Sequence, residues 1–272
     1  RIIMQPGPQS NPAIEGVRHL IAVASGKGGV GKSTVAANLA IALQMHGQRV
    51  GLMDADIYGP SVPMMMGLGH VDPQTANFPV EKYGLKLMSL GFLPDAGKGV
   101  LLRGPMVAKW VTTFLTQINW GQLDQLVIDM PPGTGDAQLT LCQAAPLTGA
   151  VIVTTPQDVS LIDAVKALNM FRQLKTPVLG VIENMSYFVG DDGKRYEIFR
   201  HGGGRRLAAE TGVPFLGEIP IDPRVSECGD GGEPMVRKYA DSPVAKAYLA
   251  LAASVMEAAV KADGSGLPEV VL

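Results

Sequence analysis

The hydrophobic positions of this chain fall into short continuous runs that are separated by segments of helical length. Continuous apolar runs rich in β-branched residues are typical of strands that are covered on both faces of a parallel sheet. The repeated order of strand, helix and strand predicts an α/β fold with a doubly wound, mainly parallel sheet and helices on both faces. The predicted strands are residues 20–25, 49–54, 85–90, 125–130, 150–155, 177–184 and 214–220, and the predicted helices are residues 32–47, 159–174 and 242–262.

The same pattern predicts one large domain with short flanking segments. Hydrophobic residues make up 46% of the 272 residues and charged residues 18%, which excludes the charge-rich composition of a disordered chain. Three prolines among polar residues near the start are typical of a flexible lead-in. We therefore predict a lead-in over 1–17, a single domain over 18–262 and a tail over 263–272.

Charge and cysteine content exclude several classes of protein. The net charge of −2 provides no overall attraction to nucleic acid or to an anionic membrane. No uninterrupted apolar stretch approaches the ~18 residues of a spanning helix, and the first residues lack the apolar core of a secretory signal. Two cysteines are too few for a disulfide scaffold. The sequence predicts a cytoplasmic protein that binds neither nucleic acid nor membrane.

A glycine-rich segment lies between the first predicted strand and the first predicted helix. This order is the one a phosphate-binding loop requires, and a glycine-rich turn that merely precedes a helix is the alternative. The glycines let successive N–H groups turn toward phosphate oxygens, while Lys32 can reach the β- and γ-phosphates and Ser33 can bind Mg²⁺. The predicted nucleotide-binding loop comprises Gly26, Lys27, Gly28, Gly29, Val30, Gly31, Lys32, Ser33 and Thr34.

Carboxylates follow two of the predicted strands. Asp54 and Asp56 end the second strand, and Asp129 ends the run LVID. Since ligands of parallel sheets bind at the carboxyl ends of the strands, all three are candidates for the same site. We predict that Asp129 holds Mg²⁺, and the alternative for Asp54 and Asp56 is a cap on the turn that follows.

The second residue of the glycine-rich loop, Lys27, makes the segment resemble the deviant Walker A family of ATPases, which includes MinD and ParA. The resemblance implies a homodimer in which Lys27 reaches the nucleotide of the partner subunit, so Lys27 joins Lys32 as a catalytic residue. It also implies that Asp56 orients or activates the attacking water, and that Asp54 either lies near the Mg²⁺ or holds the loop.

The base-binding residues are also implied by this resemblance. Asn184 follows a predicted strand in VIENMS, and Pro220 and Asp222 follow another in EIPIDPRV. Members of the family recognise adenine with an asparagine at the first place and a loop at the second, and no guanine-specific motif occurs in the chain. ATP is therefore the expected nucleotide, with a simple turn residue as the alternative for Asn184.

Further phrases resemble the Mrp/ApbC branch of this family, whose members act as iron–sulfur cluster carriers or scaffolds. These phrases span roughly residues 17–262 and include DADIYGPSVP, DMPPGTGDAQLTL, GVIENMS and IFRHGGGRRLA. The resemblance implies slow ATP hydrolysis, and it implies client apo-proteins or assembly factors of iron–sulfur maturation as partners.

One departure from the branch concerns the cluster itself. Relatives that bind a cluster carry Cys-x-x-Cys after ENMSYF, whereas this chain has Gly190, Asp191, Asp192 and Gly193 there. Carboxylates are hard ligands and poor substitutes for thiolates at iron–sulfur centres. Cys228 is the candidate cluster ligand, with His201 as a second, and a loop thiol and a surface histidine are the alternatives. Two other functions stay open: a MinD/ParA-type positioning ATPase, and a maturation adaptor ATPase that binds no cluster.

Overall fold

An eight-stranded sheet organises the residues that the structure describes. This computed structural model describes residues 14–56, 59–69, 78–92 and 104–264. The strands are β1 (Val17–Ala24), β2 (Val50–Asp54), β3 (Val80–Lys82), β4 (Leu85–Ser89), β5 (Leu123–Asp129), β6 (Gly149–Thr154), β7 (Val178–Glu183), β8 (Phe188–Val189), β9 (Arg195–Tyr196) and β10 (Phe215–Glu218). The large sheet has the order β10-β7-β6-β1-β5-β2-β4-β3, and only β3 runs antiparallel to its neighbour.

Helices cover both faces of this sheet, as the sequence predicts. They are α1 (Lys32–Met45), α2 (Val62–Met65), α3 (Gly104–Thr116), α4 (Asp136–Ala144), α5 (Asp158–Gln173), α6 (Gly203–Thr211), α7 (Pro223–Gly231), α8 (Met235–Lys238) and α9 (Pro243–Gly264). One hydrophobic core lies between the sheet and α1 with α9, and the other lies between the sheet and α3 to α6. The predicted doubly wound, mainly parallel fold is confirmed.

Helix α1 is enclosed by the core on nearly all sides. Its residues from Val35 to Leu43 are all buried, because α9 covers the side that faces away from the sheet. Burial on all sides explains why the helix is apolar around its whole circumference. The amino terminus of α1, where the glycine-rich loop ends, is thereby held against the sheet.

Parallel register brings polar strand ends together at one edge of the sheet. Asp54 in β2 pairs with Asp129 in β5, and on its other side it pairs with Ser89 in β4. Strand β1, which leads into the glycine-rich loop, pairs with β5 on one side and with β6 on the other. The predicted phosphate loop and the predicted carboxylates therefore lie at the same edge.

Strands β8 and β9 form a separate antiparallel hairpin, which the strand pattern of the sequence did not reveal. The hairpin contains Gly190 to Gly193, and an isolated bridge from Phe188 to Ile221 attaches it to the segment that follows β10. Two-residue strands are too short to show a hydrophobic period.

Helix α9 has the length and hydropathy of a membrane-spanning segment, since it has 22 residues and an 18-residue stretch of it has a mean hydropathy of 1.3. Its sequence contains no long uninterrupted apolar stretch, because Lys246, Glu257 and Lys261 interrupt the run. The helix packs on α1 and on the sheet, and its buried residues belong to the core. Packing in the core accounts for the apolar residues on the buried side of the helix.

The predicted lead-in and tail fall largely outside the described residues. Residues 1–13 and 265–272 are not described, and β1 already begins at Val17.

Candidate functional site

The glycine-rich loop joins β1 to α1 in the conformation that a phosphate loop needs. Gly31 lies directly before α1 with φ of 80°, a left-handed backbone angle that favours glycine. Gly26 is required for another reason, since a Cβ there would approach the carbonyl oxygen of Asp163 in α5 to 2.0 Å. The loop is thus braced by α5 on one side while its later N–H groups lie at a helix amino terminus, where anions bind.

Lys32 lies at the centre of a cluster of acidic and hydroxyl groups. Its Nζ is 2.5 Å from Asp129 Oδ1, 3.0 Å from Ser33 Oγ and 3.8 Å from Asp56 Oδ2. The side chain of Lys32 is 5% exposed, so these contacts are largely shielded from solvent. The structure therefore brings together Lys32, Ser33, Asp56 and Asp129, as the sequence predicts.

Asp129 has one carboxylate oxygen that no group satisfies. Its Oδ1 accepts from Lys32, whereas the buried Oδ2 has no hydrogen-bond partner in the described part of the chain. Burial raises the pKa of the carboxyl, and the charge of Lys32 opposes that shift. The unpartnered carboxylate oxygen of Asp129 and the hydroxyl of Ser33 are hard oxygen ligands, which Mg²⁺ prefers. These two residues therefore fit this ion.

Asp54 holds the loop that carries Asp56. Its Oδ1 accepts from Asp56 N at 3.1 Å, and its Oδ2 accepts from Val62 N at 3.2 Å and from Ser89 Oγ at 3.0 Å. Three donors of the protein hold Asp54, and its assignment as a Mg²⁺ ligand stays a prediction. The other role that the resemblance implies, holding the loop, fits the contacts.

Asp54 also makes stability depend on pH. Burial first and the neighbouring Asp129 second raise its pKa from 3.8 to about 7. The folded protein therefore keeps a proton on Asp54 over a pH range in which the unfolded chain has lost it. The contribution of this group to stability is fully present below pH 3.8 and is lost as the pH rises to about 7.

We expect the free energy of unfolding of the unsubstituted protein, relative to that of Asp54→Asn, to fall as the pH rises from about 5 to about 8. Chemical denaturation of both proteins across this range measures the difference. Asp124→Asn is the matched control, because Arg49 lowers the pKa of Asp124 to about 2 and that group does not titrate in the same window. Parallel pH profiles for the unsubstituted protein and Asp54→Asn would contradict the expectation.

Asp56 faces the cleft above the glycine-rich loop. It is 7% exposed, and its Oδ1 accepts from Gly59 N at 3.3 Å while its Oδ2 lies near Lys32. A carboxylate held by its own loop and directed into a cleft can orient a water molecule for attack.

The cleft itself has a volume of about 540 Å³, which is sufficient for a nucleotide. Its floor is the glycine-rich loop, including the half-buried Lys27, and Asp56 stands at its wall. The predicted base-binding residues Asn184, Pro220 and Asp222 all line it. The structure thus brings the predicted phosphate-binding and base-binding residues into one cleft.

Two of the predicted base-binding residues also make contacts that hold the protein's own structure. Asn184 donates from Nδ2 to Val30 O at 2.9 Å, so it ties the end of β7 to the glycine-rich loop. Asp222 accepts from Arg224 N at 2.9 Å as the cap of α7, and the Arg224 guanidinium lowers its pKa. These contacts fix the positions of both side chains. Pro220 is assigned to the site only because it lines the cleft.

Cys228 does not lie at a surface where it could bind a cluster. It is 1% exposed in α7, its Sγ is 3.9 Å from Met235 Sδ, and burial raises the pKa of its thiol. The geometry corrects the sequence-based proposal, since a buried thiol with a raised pKa is a poor ligand. Cys142 is likewise buried, in α4.

Sequence reasoning missed Ser89 and Phe199. Ser89 anchors Asp54, and Phe199 lines the cleft between the hairpin and α6. No motif marks Ser89, which acquires its role from a partner that is distant in sequence, and Phe199 belongs to the phrase IFRHGGGRRLA, which predicts no place in the cleft for it.

Comparison with known proteins identifies relatives over most of the chain. The ParA family model described as NUBPL iron-transfer P-loop NTPase matches residues 16–256. An iron–sulfur cluster carrier protein from Aquifex aeolicus is 56% identical over 245 residues, which are 88% of this chain and 67% of that protein.

Solved structures agree with these matches. A nucleotide-binding protein from Archaeoglobus fulgidus, in complex with ADP and with cobalt found in it, has a TM-score of 0.72 at 41% identity, over 85% of this chain and 91% of that one. The cell division ATPase MinD from Pyrococcus furiosus has a TM-score of 0.66 at 21% identity, over 88% and 98% of the two chains. The second likeness, at this identity, shows the fold alone.

Proposed function

Since the chain belongs to the family of NUBPL iron-transfer P-loop NTPases, we propose that it is a homodimeric, Mg²⁺-dependent ATPase of iron–sulfur protein maturation. The observation that carries the proposal is the cluster around Lys32, in which one ammonium group meets Asp129 at 2.5 Å and Asp56 at 3.8 Å beside a phosphate loop. Cytoplasmic localisation, client apo-proteins and assembly factors as partners belong to the same proposal.

Each group in the cluster has a part in ATP hydrolysis. Lys32 neutralises the β- and γ-phosphates, and Asp56 orients the attacking water. Ser33 and Asp129 would hold Mg²⁺, which neutralises developing charge on the phosphates when it is bound. Asp54 keeps Asp56 in place through the backbone of its loop.

ATP is the proposed nucleotide because the cleft joins the phosphate loop to Asn184, Pro220 and Asp222. A solved relative at 41% identity is a complex with ADP, which supports an adenine nucleotide. The amide of Asn184 can pair with the edge of adenine while it also braces the loop through Val30.

The homodimer is proposed from Lys27. Its side chain is half-buried in the floor of the cleft, and no hydrogen bond or ion pair of its Nζ is formed within the described part of the chain. A second lysine of this kind can add positive charge at the phosphates of a facing subunit.

Members of the family differ in whether they could hold an iron–sulfur cluster through their own cysteines. A four-thiolate cluster does not fit this chain, because its two cysteines are buried and the hairpin carries Gly190 and Gly193 where the cluster-binding relatives have cysteines. Asp192 is moreover bonded to Tyr196 and Lys194 of the same hairpin. These contacts favour a maturation ATPase that acts without holding a cluster through its own cysteines, whereas no specific contact favours a positioning ATPase.

Anaerobic reconstitution with iron and sulfide tests the cargo step. We expect the unsubstituted protein to retain no [4Fe–4S] cluster through gel filtration, measured as visible absorbance together with iron and sulfide content. Gly190→Cys combined with Gly193→Cys is the matched comparison, because it places thiols where relatives have theirs. A cluster retained by the unsubstituted protein would show that a cluster carrier, and not an adaptor, is the correct version.

A further inference from the structure

A second group of metal-binding side chains lies beside the hairpin and outside the nucleotide cleft. Glu183 ends β7, His201 precedes α6 and Glu218 ends β10, and one ligand atom from each lies within 4.8 Å of the other two. None of the three lines the cleft that contains the glycine-rich loop. The group therefore needs an explanation separate from nucleotide binding.

Glu183 is held as a buried, oriented carboxylate. It is 0% exposed, and its Oε1 accepts from Ser186 Oγ at 2.5 Å and from Gly202 N at 3.0 Å, while its Oε2 accepts from Gly204 N at 2.5 Å. A carboxylate offers about four acceptor positions. Oε2 accordingly keeps one lone pair, and hydrogen-bonded carboxylates of this kind are typical of metal ligands.

The ring nitrogen of His201 meets two groups that it cannot satisfy together. Nε2 is 2.8 Å from Glu218 Oε2, which requires a proton on the nitrogen, and 2.7 Å from Arg195 Nη2, which requires a lone pair. One nitrogen cannot donate and accept along both directions. Arg195 Nη2 also donates to Glu218 Oε1 at 2.8 Å, so the guanidinium is the cation that holds His201 and Glu218 together, in the place that a metal ion would take.

The surroundings of His201 supply the remaining features of a metal site. Its Nδ1 is 3.7 Å from Glu197 Oε1, the side on which metal-bound histidines commonly have a carboxylate partner. The side chains of His201 and Glu218 are 28% and 23% exposed, which leaves a path for an ion from solvent. In the same conformation the guanidinium of Arg195 lies 3.4 Å from the centre of the Tyr187 ring.

We propose that Glu183, His201 and Glu218 bind one divalent transition-metal ion of the zinc, cobalt(II) or iron(II) class. One imidazole nitrogen and two carboxylate oxygens suit these ions, whereas a ligand set made only of oxygen would suit Mg²⁺ or Ca²⁺. The ion takes the lone pair of Nε2, neutralises the two carboxylates and displaces the Arg195 guanidinium from His201 Nε2 and Glu218 Oε1. The site does not depend on the proposed ATPase function.

Cobalt(II) binding to the full chain, saturated with Mg²⁺ and ADP to occupy the phosphate loop, tests this site. Equilibrium dialysis with metal analysis gives the stoichiometry and affinity, and visible cobalt absorption reports the ligand set. We expect one ion per chain, and we expect His201→Ala and Glu218→Gln each to weaken binding by at least about 100-fold, since loss of partners to metal ligands alone costs 10–100-fold. His46→Ala and Glu210→Gln, which change the same residue types elsewhere on the surface, should bind as the unsubstituted protein does.

Arg195→Ala separates a metal site from a network of ion pairs that serves only the fold. If a metal ion competes with the guanidinium, removal of Arg195 leaves cobalt affinity unchanged or increases it. The proposal is overturned if the unsubstituted protein binds no cobalt at this site, if His201→Ala and Glu218→Gln bind it as tightly as the unsubstituted protein, or if Arg195→Ala loses binding as they do. Thermal unfolding of each variant confirms that it is folded.

Discussion

Lys32→Ala is expected to lower ATP affinity by at least about 100-fold, because hydrogen bonds from a charged group contribute roughly 1.5–3 kcal/mol each and Lys32 is proposed to reach two phosphates. Calorimetric titration with ATP in the presence of Mg²⁺ measures the loss. Lys166→Ala is the control, since that lysine lies on an exposed face of α5. An affinity within twofold of the unsubstituted protein would remove the basis of the phosphate-loop assignment.

The same substitution also affects stability. Lys32 is the cation beside the buried Asp129, and breaking a buried ion pair costs about 3–5 kcal/mol when the partner stays charged. Without Lys32, burial favours the protonated form of Asp129, which limits that cost. Adding Asp129→Asn to Lys32→Ala should therefore recover stability in chemical denaturation while ATP binding stays lost, which separates binding from folding.

Lys27→Ala is expected to abolish hydrolysis while ATP binding persists, because the lysine is proposed to act on the nucleotide of the partner subunit. Asp56→Asn should reduce the rate by about 10²–10⁴-fold for a different reason, the loss of the group that orients water in its own subunit. Steady-state ATPase assays over a range of protein concentration measure both effects.

Mixing the two variants tests whether Lys27 acts across the dimer. A mixed dimer contains one site with Asp56 from its own chain and Lys27 from the partner, so random exchange should restore about one quarter of the unsubstituted rate. If the mixture shows no more activity than the two variants alone, or if Lys27→Ala hydrolyses ATP normally, the proposed action of Lys27 is wrong.

Much of the fold could be predicted from hydrophobic runs alone. The strands predicted at 20–25, 125–130 and 150–155 correspond within a few residues to β1, β5 and β6, because a central parallel strand is apolar on both faces. The elements that were missed are α3 and the short ones, such as β3 and the hairpin. Short elements carry too few residues to establish a period, and tertiary contacts define them instead.

The phosphate loop was predictable for a related reason. Its chemistry is encoded in a contiguous segment, where Gly31, Lys32 and Ser33 must follow one another for the backbone to turn inward at a helix amino terminus. Asp129 could be assigned from its place at a strand end. For such local features, the order of residues along the chain is sufficient to predict the structure.

By itself, then, the sequence determined the α/β sheet, the phosphate loop and the carboxylates that accompany it. Only the tertiary structure decided that Asp54 holds the Asp56 loop through Val62 and Ser89, and that Cys228 is buried against Met235. Only the structure, too, brought Glu183, His201 and Glu218 together from three separate elements. The physical reason is that burial and hydrogen-bond partners depend on contacts between segments that are distant in sequence, which no local pattern records.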